Sequence, residues 1–353
     1  MSYTIDNIAN IIGAKRIGQA DATINWLLID SRSLCFPEES LFFALETQKN
    51  DGHKYIAELV QRGVRNFVVA DEYSDPHLFS SPTLNFLRVR STLQALQQLA
   101  AYHRSQFSIP VIGITGSNGK TTVKEWLYQL LSPDYNVCRS PRSYNSQVGV
   151  PLSVWLMSQH HDVAIIEAGI SQPGEMERLE RIIRPTIGVM TNLGSAHQEN
   201  FLSYDIKCSE KMQLFRYSRQ VVITSQDSTI HRCASLLPKN IEQCRLTILG
   251  IEKDGGHATV RFETAAHKQG RYTLNFIDDA AIENSITCLT TCLALNTSIP
   301  LETLCQRMAR LEPVAMRLEV KEGIRGCTLI NDTYNSDIHS LDIALDFMAR
   351  RPD

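Results

Sequence analysis

A glycine-rich turn between an apolar run and a Lys-Thr pair is the strongest chemical signal in the sequence. The run Ile109 to Thr115 predicts a buried strand, Gly116-Ser117-Asn118-Gly119 a turn, and Lys120-Thr121-Thr122 the start of a helix. Glycines let backbone N–H groups curl around phosphate oxygens, and a helix N-terminus favours negative charge. In such a loop Lys120 would reach the β- and γ-phosphates of a nucleotide, and Thr121 would place its hydroxyl on Mg²⁺.

The loop departs from the usual spacing at one position. Ile114 stands where the standard phosphate loop has its first glycine, so this loop is a Thr-Gly-x-x-Gly-Lys-Thr variant. A chance glycine-rich turn is the plain alternative. The strand before the turn and the helix after it argue for phosphate binding.

Further polar residues follow the predicted neighbouring strands. Glu167 ends one apolar run, and Asn192 and His197 follow another, with Lys211 in the next predicted helix. Ligands of open parallel sheets bind beyond the carboxyl ends of the strands, where an acid can hold Mg²⁺. These residues also have plainer interpretations. Glu167 could be an ordinary strand-end acid and His197 an ordinary loop histidine. Lys211 could be a solvated helix lysine, which is the interpretation that spacing alone favours. Asn145 reads most simply as a turn or cap residue.

The elements around these residues predict an α/β protein. Strand and helix patterns alternate through the middle of the chain, which favours a parallel sheet with helices on both faces. We predict an N-terminal α/β domain over 1–108, a central nucleotide-binding domain over 109–312, and the start of a third domain over 313–353. The predicted central elements are strands at 109–115, 163–167, 187–191 and 221–224, helices at 121–131, 175–183, 204–215, 282–295 and 301–311, and a late hairpin from 257–263 and 270–276.

Composition excludes several classes of protein. The 353 residues carry a formal net charge of −3, which gives no reason to expect a nucleic-acid or anionic-membrane surface. No apolar stretch approaches the roughly 20 residues of a membrane span, and no secretory signal opens the chain. Nine scattered cysteines are typical of reduced thiols in a cytoplasmic protein, and Cys288 and Cys292 fit core packing.

Taken together, these motifs resemble the Mur ligase family of cell-wall enzymes. The resemblance rests on Thr115-Gly116-x-x-Gly119-Lys120-Thr121-Thr122, Glu167-Ala168-Gly169 with Gly174-Glu175, Thr191-Asn192-Leu193-Gly194-x-Ala196-His197-x-Glu199, and Lys211. It implies a three-domain fold with a central P-loop ATPase domain, and an N-terminal domain that binds a UDP-sugar. The third domain, as given, is shorter than in the family.

Within the family, Tyr144-Asn145-x-x-Val148-Gly149-Val150-Pro151 is most similar to members that add D-alanyl-D-alanine to UDP-N-acetylmuramoyl-tripeptide. The resemblance implies an ATP-dependent amide ligation through an acyl phosphate, in peptidoglycan precursor synthesis in the cytoplasm. Some such ligases are fused to an alanine racemase, and a fragment of such a fusion would fit an ending inside the third domain.

The resemblance also implies a role for each site residue. Glu167 and His197 resemble metal ligands beside Thr121, and Lys211 falls where the family has a carbamylated lysine that binds a second Mg²⁺. Ser31, Arg32 and Asn145 would contact the substrate. The implied nucleotide contacts are Gly116 to Thr122, Asn284, Arg317, Asp332, Tyr334 and Asn335. Glu283, Asn331 and Gln198 depart from the residues that the family usually has at these positions.

Three other functions remain open from the sequence. One is a related ligase, either diamino-acid-adding or similar to folylpolyglutamate synthase, although the Asp30-Ser31-Arg32 domain argues against the folate enzyme. A P-loop GTPase switch lacks its Asn-Lys-x-Asp guanine element here. The last is a nucleotide-binding module that is inactive because its third domain is short.

Overall fold

A computed structural model describes residues 1–47, 50–194, 198–314, 319–322 and 327–331, together with Leu345 and Met348. Contacts within the chain separate two compact units, one made of 1–108 and 147–159, the other of 109–146 and 160–353. Among the described residues, no helix combines the length and apolarity needed to cross a membrane.

The first unit is built on a five-stranded sheet. Its strands lie in the order Lys15–Ile17, Asn85–Val89, Asn66–Ala70, Ser40–Phe43 and Trp26–Leu28, and only the Lys15–Ile17 pairing is antiparallel. The strands Asn66–Ala70 and Ser40–Phe43 are buried throughout, as expected when both faces of a sheet are covered. The helices of this unit are Ile5–Ile11, Ile56–Gln61, Pro76–Phe79, Thr92–Ser105 and Gly149–Trp155, with 3₁₀ turns at Ser31–Ser33 and Gly52–Tyr55.

Two short antiparallel pairs complete the first unit, Tyr3–Thr4 with Thr23–Ile24 and Glu46–Thr47 with Asn50–Asp51. Two apolar clusters form its core. One includes Ile8, Leu96 and Trp155, and the other Phe42, Phe67 and Phe86.

The second unit contains the predicted parallel sheet. Its six strands lie in the order Val137–Arg139, Val163–Glu167, Val111–Thr115, Ile187–Met190, Gln220–Ile223 and Glu242–Cys244, and every pairing is parallel. The helices are Lys120–Leu131, Glu175–Ile183, Tyr204–Met212, Ser228–Ala234, Asp279–Ala294 and Leu301–Met308, with 3₁₀ turns at Gln198–Asn200 and Gln213–Phe215. This arrangement confirms the α/β fold class.

The predicted late hairpin is part of a larger sheet. Strands His257–Glu263 and Gln269–Leu274 pair as expected, and Thr247–Asp254 adds a third antiparallel strand. Burial does not alternate regularly along this third strand, because residues 252 to 254 are all exposed. Cys288 and Cys292 are buried in the apolar cluster that this sheet shares with the Lys120–Leu131 helix, which confirms that they pack in the core.

Beyond residue 314, the described strands form a small antiparallel pair, Glu319–Glu322 with Thr328–Asn331. The helix predicted over 340–350 lies almost wholly outside the described residues. The three-domain division with boundaries at 108 and 312 stays a prediction.

Candidate active site

The phosphate loop starts at the centre of the parallel sheet. Val111–Thr115 lies between two strands of the same direction, so that Ile114 pairs with Glu167 and Thr115 with Met190. The carboxyl ends of three strands therefore meet at one edge of the sheet. The loop needs glycine because Gly116 and Gly119 have φ values of +146° and +80°, which side-chain-bearing L-residues rarely adopt.

Hydrogen bonds from the next strand end hold the loop. Asn192 accepts the Asn118 N–H through its side-chain oxygen at 2.8 Å and the Ser117 N–H through its carbonyl at 2.9 Å. The Thr191 hydroxyl donates to the Asn118 carbonyl at 2.6 Å. Asn192, predicted only as a polar strand-end residue, thus fixes the shape of the loop.

The loop lysine folds back over the turn. Lys120 Nζ donates to the carbonyls of Gly116 and Ser117, both at 2.9 Å. The helix Lys120–Leu131 begins at this residue, and the first N–H groups of any helix have no acceptor within the helix itself. An ammonium group and a helix N-terminus therefore lie together, which is an arrangement suited to phosphate.

Glu167 is buried at the end of its strand and is held on both oxygens. Its Oε1 accepts from Asn145 Nδ2 at 2.7 Å, and its Oε2 accepts from the Thr121 hydroxyl at 3.0 Å. Thr121 Oγ1 also lies 2.9 Å from Ser143 Oγ. A carboxylate and two hydroxyls are hard oxygen donors of the kind that Mg²⁺ prefers, so this cluster fits that ion. Ser143 is not predicted from the sequence, because a lone loop serine carries no distinctive signal.

Lys211 is buried, which corrects the solvated-helix interpretation that spacing alone favoured. Its Nζ donates to the Gly116 carbonyl at 3.0 Å, and the side chain is 4% exposed. Burial, and then the positive charges of Lys120 and Lys207, hold the pKa of Lys211 well below its usual range. The amphipathic helix Tyr204–Met212 turns this face toward the loop.

A further buried lysine lies on the same helix. Lys207 donates to the Gly194 carbonyl at 2.5 Å, and the Gly194 N–H donates to Ser117 Oγ at 2.8 Å. The sequence places Lys207 one helical turn before Lys211, on the same face of the helix, but does not show that this face is buried.

Asn284, a predicted nucleotide contact, lies against the phosphate loop. A Cβ atom built on Gly119 would overlap the Asn284 side chain. Asn284 is in the first turns of the helix Asp279–Ala294. The neighbouring Glu283, one of the departures from the family, has its pKa raised by burial, and the interaction with Ser225 opposes this rise.

Ser31 and Arg32 lie in the first unit, directly after the strand Trp26–Leu28. Asp30 caps a 3₁₀ turn over Ser31–Ser33, and Ser31 is buried. Arg32 is 88% exposed at its side chain and pairs with Asp30 at 2.6 Å, and this hydrogen bonding lowers the pKa of Asp30 to about 2. His197, Arg317, Asp332, Tyr334 and Asn335 lie outside the described residues.

Comparison with known proteins places this site in a family. Residues 114–301 match the Mur ligase middle domain. The chain belongs to the Mur ligase family. A UDP-N-acetylmuramoyl-tripeptide–D-alanyl-D-alanine ligase of Synechocystis is 30% identical over 338 residues, which are 94% of this chain and 71% of that protein. The ligase of the same name from Bacillus subtilis is 26% identical over 353 residues, covering 97% and 74%.

Solved structures agree on the fold. MurF from Acinetobacter baumannii matches with a TM-score of 0.89 at 23% identity, covering all of this chain and 77% of that one. MurF ligase from Thermotoga maritima in complex with ADP matches with a TM-score of 0.78 at 24% identity, covering 93% and 75%. The chain thus spans about three quarters of the length of these relatives.

Proposed function

We propose that this protein is an ATP-dependent amide ligase that joins D-alanyl-D-alanine to UDP-N-acetylmuramoyl-tripeptide in peptidoglycan precursor synthesis. The similarity to ligases of that name over nearly the whole chain supports the substrates. The observation that carries the chemistry is the meeting of Lys120, Glu167 and Lys211 around one phosphate loop.

The reaction must first activate a carboxylate, because its oxygen is a poor leaving group. ATP would convert the terminal carboxylate of the tripeptide into an acyl phosphate, and the amine of D-alanyl-D-alanine would then displace phosphate. Phosphoryl transfer depends mostly on positioning and charge neutralisation. Lys120 would exchange its two loop carbonyls for phosphate oxygens, and the residues Gly116 to Thr122 would surround the phosphates.

Thr121 and Glu167, with His197, would hold Mg²⁺, which would neutralise charge on the phosphates. The donor set around Glu167 supports this assignment. We expect two ions, and the second would need an anionic group near Lys211.

Carbamylation of Lys211 would supply that group. Only an uncharged amine reacts with CO₂, and burial beside Lys120 and Lys207 favours the uncharged form. The carbamate that results is an anion, so the same two lysines would then attract it. Isotopically labelled bicarbonate should give a carbamate carbon signal in the wild type that Lys211→Met lacks.

The resemblance implies further contacts to the nucleotide and to the UDP-tripeptide. Asn284, Arg317, Asp332, Tyr334 and Asn335 would contact the nucleotide, and Ser31, Arg32 and Asn145 the UDP-tripeptide. We also propose a cytoplasmic location and three domains, at 1–108, 109–312 and 313–353. Fusion to an alanine racemase stays a prediction from the resemblance alone.

The test is product formation with each substrate omitted in turn. ADP release should require both UDP-N-acetylmuramoyl-tripeptide and D-alanyl-D-alanine, and mass spectrometry should find the joined peptide. Lys120→Ala should remove nearly all turnover, whereas Lys239→Ala, at an exposed lysine, should not. ADP release that ignores the peptide, or a faster reaction with a diamino acid or a folate, would overturn the proposal.

A further inference from the structure

A fully buried lysine outside the assigned machinery lies beside the candidate metal site. Lys124 is 0% exposed and follows Lys120 by one turn of the same helix. Its Nζ donates to the Ser140 carbonyl at 2.9 Å and to the Arg142 carbonyl, and it lies 3.0 Å from Glu125 Oε1. An ammonium group has three protons, and each of them has an acceptor here. A buried charge is tolerated only with such partners.

The two carbonyls belong to the turn that completes the site. Ser140 Oγ accepts the Glu167 N–H at 3.1 Å, and the side chains of Ser143 and Asn145 reach Thr121 and Glu167. Arg142, between Ser140 and Ser143, has a φ of +48°, a strained value for a residue that is not glycine. The hydrogen bond from Lys124 to the Arg142 carbonyl holds the turn in this conformation.

Lys124 also acts on Glu167 through its charge. Its Nζ lies 3.9 Å from Glu167 Oε2, the oxygen that the Thr121 hydroxyl contacts. We propose that Lys124 is a positioning residue that holds Glu167 and the 140–145 turn in the geometry that binds Mg²⁺ with the nucleotide. The proposal rests on the proposed function for the identity of the metal site. It differs from general core packing because its effect must pass through Glu167.

Calorimetry of the full chain with a non-hydrolysable ATP analogue, with and without saturating Mg²⁺, measures this effect without turnover. The quantity of interest is the factor by which Mg²⁺ strengthens nucleotide binding. Lys124→Met and Glu167→Gln should each reduce that factor by about tenfold or more, the size expected when a hydrogen bond to a charged group is lost. The double variant should lose no more than Glu167→Gln alone, because residues that act as a unit are not additive.

Leu130→Ala, at a buried leucine of the same helix, controls for loss of stability and should keep the wild-type factor. A wild type without Mg²⁺ enhancement, an unchanged factor in Lys124→Met, or multiplied losses in the double variant would each overturn the proposal. If Lys124→Met does not fold, the Arg142→Gly background carries the test, since glycine adopts a positive φ without strain. Failure of that variant to fold would assign Lys124 to general stability instead.

Ligase activity of the wild type is measured separately, so the two claims can fail independently. A wild type that binds the nucleotide with Mg²⁺ but makes no amide would refute the proposed function and leave the role of Lys124 standing.

Discussion

Replacing Gly119 by alanine tests the shape of the phosphate loop against a matched control. Gly119 and Gly174 have the same φ of +80°, and each stands immediately before a helix. A Cβ atom at Gly119 would overlap the Asn284 side chain, whereas a Cβ atom at Gly174 would meet nothing within 4 Å. The two substitutions therefore carry the same backbone strain and differ in the contact with Asn284.

The left-handed conformation costs an L-residue about 1 to 2 kcal/mol. We expect both Gly119→Ala and Gly174→Ala to lower the free energy of unfolding by about that amount. Only Gly119→Ala should also displace Asn284 relative to the phosphate loop. A further loss of about 1.4 kcal/mol in nucleotide binding corresponds to about tenfold in affinity.

Urea unfolding gives the first quantity and calorimetry with an ATP analogue the second. Gly174→Ala should bind the nucleotide as the wild type does, within about threefold, or about 0.7 kcal/mol. Equal weakening in both variants, or wild-type binding by Gly119→Ala, would refute the reasoning that Asn284 and the loop form one nucleotide site.

Three further predictions address the strained turn, acid stability and the buried amine. Arg142→Gly should raise the free energy of unfolding by about 0.5 kcal/mol, because the loss of backbone strain at a positive φ outweighs the added freedom of glycine in the unfolded chain. A lower free energy of unfolding in urea would contradict this. Burial lowers the pKa of His103 from 6.5 to about 4, so the folded state binds fewer protons than the unfolded state between these pH values. The free energy of unfolding should therefore fall by about 3 kcal/mol as the pH drops from 6.5 to about 4. His103→Gln should make this fall smaller in acid-unfolding curves. Lys211→Met should unfold no more easily at neutral pH than wild type that lacks the carbamate, because the lowered pKa of the free Lys211 amine opposes folding below the pKa of the unfolded lysine. The same variant should lose about a hundredfold or more in turnover, and retained turnover would exclude the assigned role.

The nucleotide half of the site was predictable from sequence because its residues are close along the chain. A short run rich in β-branched residues, a turn with two glycines and a Lys-Thr pair specify strand, loop and helix locally. The alternation of strands and helices also predicts that the strands ending at Thr115 and Glu167 are parallel, so that both ends lie at one edge, as the pairing of Ile114 with Glu167 shows.

Side-chain burial could not be read in the same way. Lys124, Lys207 and Lys211 look like solvated helix residues, because a lysine at any helical position carries the same local signal. Their burial depends on which strand end each helix faces, and that is decided by tertiary packing. Ser143 and Arg142 were missed for a similar reason, since a turn of polar residues does not reveal which backbone carbonyl a distant lysine will contact.

Transfer of heavy oxygen from the substrate carboxylate to inorganic phosphate tests the central claim most directly. When a carboxylate oxygen attacks the γ-phosphorus and the amine later displaces phosphate, that oxygen leaves with the phosphate. With both oxygens of the terminal tripeptide carboxylate labelled, each phosphate released should carry one labelled oxygen, detected by its mass. Unlabelled phosphate formed together with the joined peptide would contradict activation of the carboxylate at this loop.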